Sequence, residues 1–293
     1  MNIKSYLKDK KKEVDEYLDN LLPKTNKFPA QLHEAMRYTI FAGGKRVRPI
    51  LCIASFQIFD SNYKKVLPFA SALEIIHTYS LIHDDLPAMD NDSLRRGKPT
   101  NHKVYGEAKA ILAADALLTF AFQTMAESSN FEDRLIKKAI FNIAKSSGYS
   151  GIVGGQFVDI DMEGKDIDLP TLEYIHTHKT GELIKTSVYS GALLAGAKDE
   201  DLDNLLKYAK WLGLTFQIVD DILDEIGDKE ELGKNPGKDN HYNKFTYPSI
   251  YGIKKSKKIA EEYTQKSKNY LAKINADTSI LNEISNFLLE RTY

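Results

Sequence analysis

Two aspartate clusters hold the residues with the clearest chemical use. The first, Asp84-Asp85-Leu86-Pro87-Ala88-Met89-Asp90-Asn91-Asp92, packs four aspartates into nine residues, and Arg95 and Arg96 follow at once. It comes straight after the apolar run Tyr79-Ser80-Leu81-Ile82, which places Asp84 and Asp85 at a buried helix end. Carboxylates there repel one another and lose hydration unless a cation joins them. Mg²⁺ suits such oxygen ligands and usually takes one or two carboxylates plus phosphate oxygens. The guanidinium forks of Arg95 and Arg96 suit the same phosphates. Taken alone, the stretch reads rather as a solvated acidic helix end with a basic turn. A second cluster, Asp220-Asp221-Ile222-Leu223-Asp224, changes that balance. On a helix Asp220 and Asp224 are i and i+4 and share a face, with Gln217 one turn earlier. Two such helix ends can clamp one polyanion through metals bound between them.

The elements that must position these clusters are helical. Leu32, Ala35, Met36, Thr39 and Ile40 mark one helix face, and Leu202, Leu205, Leu206, Ala209, Leu212, Gly213 and Phe216 make a stripe running into the second cluster. Helices are expected over about 2–22, 49–60, 65–86, 107–127, 131–148, 170–197, 254–274 and 278–291, with a polar loop over 91–105. Residues 227–240, with four glycines or prolines, read as a mobile loop. The pattern lacks alternating strand runs, an Asn-Gly hairpin signal, a fixed-period repeat and a dividing linker. The expectation is one all-α domain over residues 1–293, a bundle of about ten or more helices around a central cavity.

Composition excludes some classes. The chain has 293 residues, 42% hydrophobic and 28% charged, with a net charge of −1, so nothing global points to nucleic acid or an anionic membrane. Cys52 is the single cysteine, which excludes an internal disulfide and fits a reducing compartment. The N-terminal residues lack a secretory pattern, and no run approaches the ~18 apolar residues of a membrane span. A cytoplasmic protein without stable membrane association is expected.

Other motifs have two readings. Gly43-Gly44-Lys45-Arg46-Val47-Arg48-Pro49 sets three cations after two glycines, where a backbone and a helix start can approach an anion. It reads equally as a basic helix junction. His77, two turns before Asp84, is either a ligand or a packed core histidine. His176 and His178 are i, i+2 and fall on different helix faces, which argues against a zinc pair.

The paired clusters resemble those of the trans-prenyltransferases, the short-chain isoprenyl diphosphate synthases, and the likeness extends at least from Gly43 to Tyr247. The resemblance implies head-to-tail condensation of isopentenyl diphosphate with dimethylallyl or geranyl diphosphate. Three Mg²⁺, with Mn²⁺ as a substitute, would sit on Asp84, Asp85, Asp90, Asp220 and Asp224, with Asp92 outside that set. A straight helix would carry Asp90 about 240° away from Asp84, so the Pro87-Ala88 insertion common in bacterial-type members is expected to bulge it back. Gly44, Lys45, Arg48, His77 and Arg96 match the isopentenyl diphosphate site, and Arg291 matches weakly. Arg95, Lys179, Thr180, Gln217, Lys234 and Lys244 match the allylic diphosphate site; Lys238 departs from the pattern. Lys179, Thr180, Gln217, Asp84 and Asp220 would be catalytic, without a protein nucleophile. Gly154-Gly155-Gln156 and Asp159 match a further motif, in which Gln156 faces the carbocation region; a structural hydrogen bond is its other reading. Tyr79 and Ser80, just above Asp84, would set product length. Tyr79 as pocket floor implies the C15 product, farnesyl diphosphate; as plain core it fits either length. The alternatives are the C20 product, a terpene cyclase, or a non-catalytic subunit. The resemblance further implies a homodimer, with the apolar helices around 107–127 as interface.

Overall fold

The computed structural model describes residues 2–226 and 245–291. Helices α1 (Ile3–Leu21), α2 (Ala30–Ile40) and α3 (Val47–Gln57) precede α4 (Leu67–Asp84). A two-stranded ribbon, β1 (Leu94–Arg95) and β2 (Lys98–Pro99), leads to α5 (Asn101–Tyr105). Then come α6 (Glu107–Ala126), α7 (Asp133–Ser147), α8 (Ile152–Asp161) and α9 (Leu169–Ile175). A π-helical segment (His176–Gly181) joins α9 to α10 (Glu182–Leu194), and α11 (Asp199–Ile226) follows. Helices α12 (Tyr247–Tyr251), α13 (Ile253–Leu271) and α14 (Ser279–Glu290) close the described chain. The fold is all-α, as the helical period predicted. Lys234 and Lys244, with Lys238, lie outside the described residues.

Helix α4 explains the architecture. Apolar or small residues occupy almost its whole circumference, so it has no solvent face and must be enclosed. It packs against α3, α6 and α10, and less extensively against α1 and α2. Leu73, Ile75, Ile76 and Ile82 are fully buried there. A smaller cluster forms where the C-terminal half of α11, through Ile218, Val219 and Ile222, meets Leu172, Tyr247 and Ala260. Both aspartate clusters thus lie at the ends of helices anchored in apolar packing.

Three expectations need correction. The 91–105 loop contains the antiparallel ribbon, with Leu94 opposite Pro99 and Arg95 opposite Lys98. Its two-residue turn is Arg96-Gly97, both at positive φ (54° and 74°), a primed hairpin turn made with Arg in place of Asn. The helix expected over 170–197 is interrupted by the π segment. Finally, α6 is by length and composition long and apolar enough to cross a membrane, so the expectation that no stretch reaches that length fails. Its Ala110, Ala113, Ala114, Leu117 and Ala121 are nevertheless fully buried, the small residues allowing close packing on α4.

Candidate active site

Helix α4 stops at the first cluster because Pro87 cannot continue it. The chain then folds back tightly: Asp90 donates its N–H to the carbonyl of Asp84 at 2.8 Å, and Asn91, at φ 48°, donates to that of Leu86 at 3.0 Å. This turn returns Asp90 to the side of Asp84. Both line a cavity of about 590 Å³, together with Asp92 and Arg95. The opposite wall is α11, whose Gln217, Asp220, Asp221 and Asp224 all reach the same space. The i, i+4 spacing thus does on α11 what the bulge does after α4.

Asp85 takes a different place. It is 1% exposed, and Arg95 grips it through Nε at 2.7 Å and Nη2 at 2.6 Å. Successive helical residues point about 100° apart, so Asp85 cannot share the direction of Asp84. Instead of facing the cavity it fixes Arg95, which does line it. Asp92, 3.6 Å from Arg95, belongs to the lining that the sequence left it out of.

The third wall is the π segment. Its wider turn presents Lys179 and Thr180 to the cavity, a common use of π geometry. Helix α8 packs so closely here that a Cβ on Gly155 would run into the backbone of Lys179. That approach lets Asp159 pair with Lys179, Oδ2 to Nζ 2.6 Å. Burial alone would lower the Lys179 ammonium, but Asp159, Asp84 and Asp90 outweigh it and raise its pKa. Burial pushes Asp84 up to about 6, with Asp90 and Asp85 adding and Lys179 opposing. His176 also lines the cavity, stacked on Tyr247 and 3.8 Å from Asp221. Burial pushes it down to about 4, so it is neutral. His178 stacks on Tyr174 instead, and the two histidines do not converge.

A cationic cradle lies next to this cavity. Gly44, at φ 127°, has the Arg96 guanidinium over it, and a Cβ there would come within 2.7 Å of Nη1, so only glycine fits. Arg96 bonds the Gly43 carbonyl. Arg48 is pushed down to about 10 by burial, with Glu74 and Asp220 opposing and Arg96 adding. Its Nε is a buried donor without a hydrogen-bond partner among the described residues. Half-buried His77 lies close to Arg48 and Arg96, and burial plus those charges keeps it neutral, well below its usual pKa. Lys45 is near Arg291 and Asp220. Arg291 bonds the Asp220 carboxylate and the Phe216 carbonyl, linking the cradle to the second cluster. The structure thus gathers Gly44, Lys45, Arg48, His77 and Arg96 as the sequence grouped them.

Tyr79 and Ser80 are not among the residues lining the cavity. Tyr79 is 5% exposed, its hydroxyl reaches the Ser147 carbonyl at 3.5 Å, and its ring edge meets His83. Ser80 bonds back to the His77 carbonyl. Gln156 is buried with both side-chain polar atoms unpaired among the described residues and lies off the cavity lining. Asp221, His176, Met162 and Glu163 line the cavity without having been singled out as site residues. Asp221 had a signal, since it neighbours Asp220, and α8 had one in the motif that includes Asp159; Met162 and Glu163 after it had none, because only tertiary packing brings them there.

An all-α protein with facing carboxylate walls, a half-buried lysine between them and an adjacent cationic cradle has a charge pattern that suits anionic ligands held with hard cations. Comparison with known proteins agrees. The polyprenyl synthetase family model matches residues 29–284. A geranylgeranyl diphosphate synthase of Cyanophora paradoxa is 49% identical, over 99% of this chain and 97% of its own. The FPP/GFPP synthase structure from Zymomonas mobilis superposes with TM-score 0.87 at 34% identity, covering 98% of this chain and 99% of that one. A geranyltransferase from Helicobacter pylori, complexed with magnesium and isoprenyl diphosphate, gives 0.85 at 30% identity, covering 99% and 97%. The chain belongs to the polyprenyl synthetase family, among the trans-isoprenyl diphosphate synthases. It is a prenyltransferase that elongates prenyl diphosphates.

Proposed function

We propose that the chain condenses isopentenyl diphosphate with allylic diphosphates up to the C20 product, geranylgeranyl diphosphate, with Mg²⁺ as cofactor. The carrying observation is the pair of carboxylate walls on one cavity, with Lys179 between them and the cradle beside it. The donor set suits Mg²⁺: every carboxylate on these walls offers hard oxygen ligands, and burial makes the charge of Asp84 costly without a cation. Among the described residues no three such groups are close enough to enclose an ion alone. That suits an ion sharing its coordination with substrate phosphate. Asp84, Asp90, Asp220 and Asp224 would hold the metal, with Asp221 and Asp92 beside them, while Asp85 holds Arg95. Bound Mg²⁺ supplies Lewis-acid neutralisation of the departing diphosphate.

The chain's own residues then have defined tasks. Arg95 and Lys179 add fixed positive charge where the leaving diphosphate gathers negative charge. Loss of that group leaves an allylic cation, which the Thr180 hydroxyl and the Gln217 amide oxygen can steady. Gly44, Lys45, Arg48 and Arg96 hold the second diphosphate, so that the isopentenyl double bond attacks the cation. A proton leaves the adjacent carbon, with the released diphosphate as its acceptor. His77, held neutral, can donate a hydrogen bond to the held diphosphate.

The Cyanophora paradoxa relative, named for the C20 product, supports that length over the C15 expectation. Tyr79, whose ring packs on His83 instead of lining the cavity, is compatible with either length. The second reading, C15, rests on the same tyrosine: a bulky aromatic buried five residues before Asp84 can still close a chain pocket from below. Purified protein given isopentenyl and dimethylallyl diphosphates with Mg²⁺ should yield a C20 alcohol after phosphatase treatment, and none with EDTA. A C15 product would sink the length assignment and keep the class; no metal-dependent condensation would sink both.

A homodimer belongs to the same reading. Helices α6, α7 and α8 expose Leu112, Phe141 and Phe157, at 59%, 66% and 73%. Apolar side chains this exposed are suited to a partner surface.

A further inference from the structure

Arg46 stands between two cradle residues, Lys45 and Arg48, yet its side chain turns inward to α1, the end of α2 and α4. It is 1% exposed, while Lys45 reaches solvent. The inward turn comes from its backbone, which sits in the left-handed region at φ 55°, a costly conformation for a non-glycine residue. Such a conformation persists only where surrounding contacts over-determine it. Here they do. Nε donates to Asp15 of α1 at 2.7 Å and Nη1 to Glu74 of α4 at 2.9 Å. Nη1 also donates to the Gly43 carbonyl at 3.1 Å, and Nη2 to the carbonyl of Ile40, the last residue of α2, at 2.6 Å. One planar fork therefore ties α1, the end of α2, the glycine turn and α4 together.

Two features connect this fork to the cradle rather than to packing alone. The Gly43 carbonyl bonded by Arg46 also accepts from Arg96, so the two guanidiniums share an anchor and Arg96 is fixed over Gly44. Glu74, 2% exposed, places its charge within reach of Arg48 and Arg96 as well as Arg46. It lies one turn before His77 on α4. Without it the cradle's guanidiniums would repel one another before any diphosphate arrived.

We propose that Arg46 and Glu74, tied to α1 through Asp15, form the positioning unit that pre-organises the isopentenyl diphosphate cradle. This rests on the reading of Gly44, Lys45, Arg48 and Arg96 as that cradle. The consequence is specific: loosening the fork weakens one substrate and spares the other, because the allylic site is built from α11, the π segment and the turn after α4.

The test is calorimetric titration of the full-length protein, once with isopentenyl diphosphate and once with a non-ionising allylic thiolodiphosphate plus Mg²⁺. Arg46→Lys keeps the charge and removes the fork. Asp15→Ala removes the acceptor on half-exposed α1, whereas Asp15→Asn retains one. Arg46→Lys and Asp15→Ala should weaken isopentenyl diphosphate by about ten- to a hundredfold, the usual cost of losing a supporting contact, with the allylic analogue unchanged within about threefold. Asp15→Asn should restore near wild-type binding. Unchanged isopentenyl diphosphate binding in Arg46→Lys, or parallel weakening of both ligands, would overturn the proposal. Wild-type protein that binds neither ligand would overturn the cradle reading and this inference with it.

Discussion

Asp84 and Asp85 are neighbours in sequence with different surroundings. Burial raises both to about 6, yet Asp85 has its counter-ion in Arg95 while Asp84 faces the cavity. A carboxyl raised in the folded state binds its proton more tightly there than in the unfolded chain. Its ionisation therefore costs stability as pH rises from about 4 to 6, and the full cost remains above 6. Asp84→Asn should consequently raise the melting temperature of the metal-free protein at pH 8 and leave it unchanged at pH 4. The gain should be on the order of 1–2 kcal/mol once solvent screening of this half-buried group is allowed for. The same change should abolish condensation. Equal melting temperatures at pH 8 would show that Asp84 is not destabilising without metal. Asp85→Asn should act differently on the site: it takes from Arg95 its 2.6 Å partner and leaves Asp92 at 3.6 Å, so condensation should fall because Arg95 is loosened.

At the scale of elements, the turn after α4 carries the first cluster's geometry. Two residues, Pro87 and Ala88, separate the observed spacing from an i, i+4 pair. Deleting both would put an aspartate four residues after Asp84, on the same helical face, with the helix-breaking proline gone. That double deletion should retain activity within about tenfold. Deleting Ala88 alone keeps the helix-breaking proline and shortens the return turn by one residue, which misplaces Asp90 and should cost a hundredfold or more, the usual penalty of misplacing a reacting group by about 1 Å. Steady-state rates of the two variants decide the matter; equal rates would mean that the turn is not what aligns Asp90. The π segment is the second such element. Nothing in the His176–Gly181 residue types announces a π turn, since it arises from fitting α9, α8 and α11 around one point.

For the whole molecule, the open question of surface is the outer side of α6 and α7. Replacing Leu112 and Phe141 together by aspartate should convert a dimer to a monomer in sedimentation, because charges are costly at the centre of an apolar interface. An unchanged sedimentation coefficient would move the interface elsewhere. A single chain carries both aspartate clusters on one cavity, so a monomeric variant should keep measurable activity.

What the sequence determined by itself was the helical class, the positions of most helix starts and stops, and the chemistry of the two clusters. These depend on local period, on proline and glycine, and on residue types at fixed spacing along one helix. The cradle was legible for a related reason: Gly44, Lys45 and Arg48 are close in sequence, and the likeness to a family supplied His77 and Arg96. Direction was not legible. Asp85 turning to Arg95, Arg46 turning inward and Tyr79 lying against His83 are each decided by a residue on another element, and pattern along one strand of sequence does not encode which side of a helix meets it. The hairpin at Arg96-Gly97 and the π turn at Lys179 belong with these. Their backbone conformations carry no strong local preference, and packing against distant helices selects them.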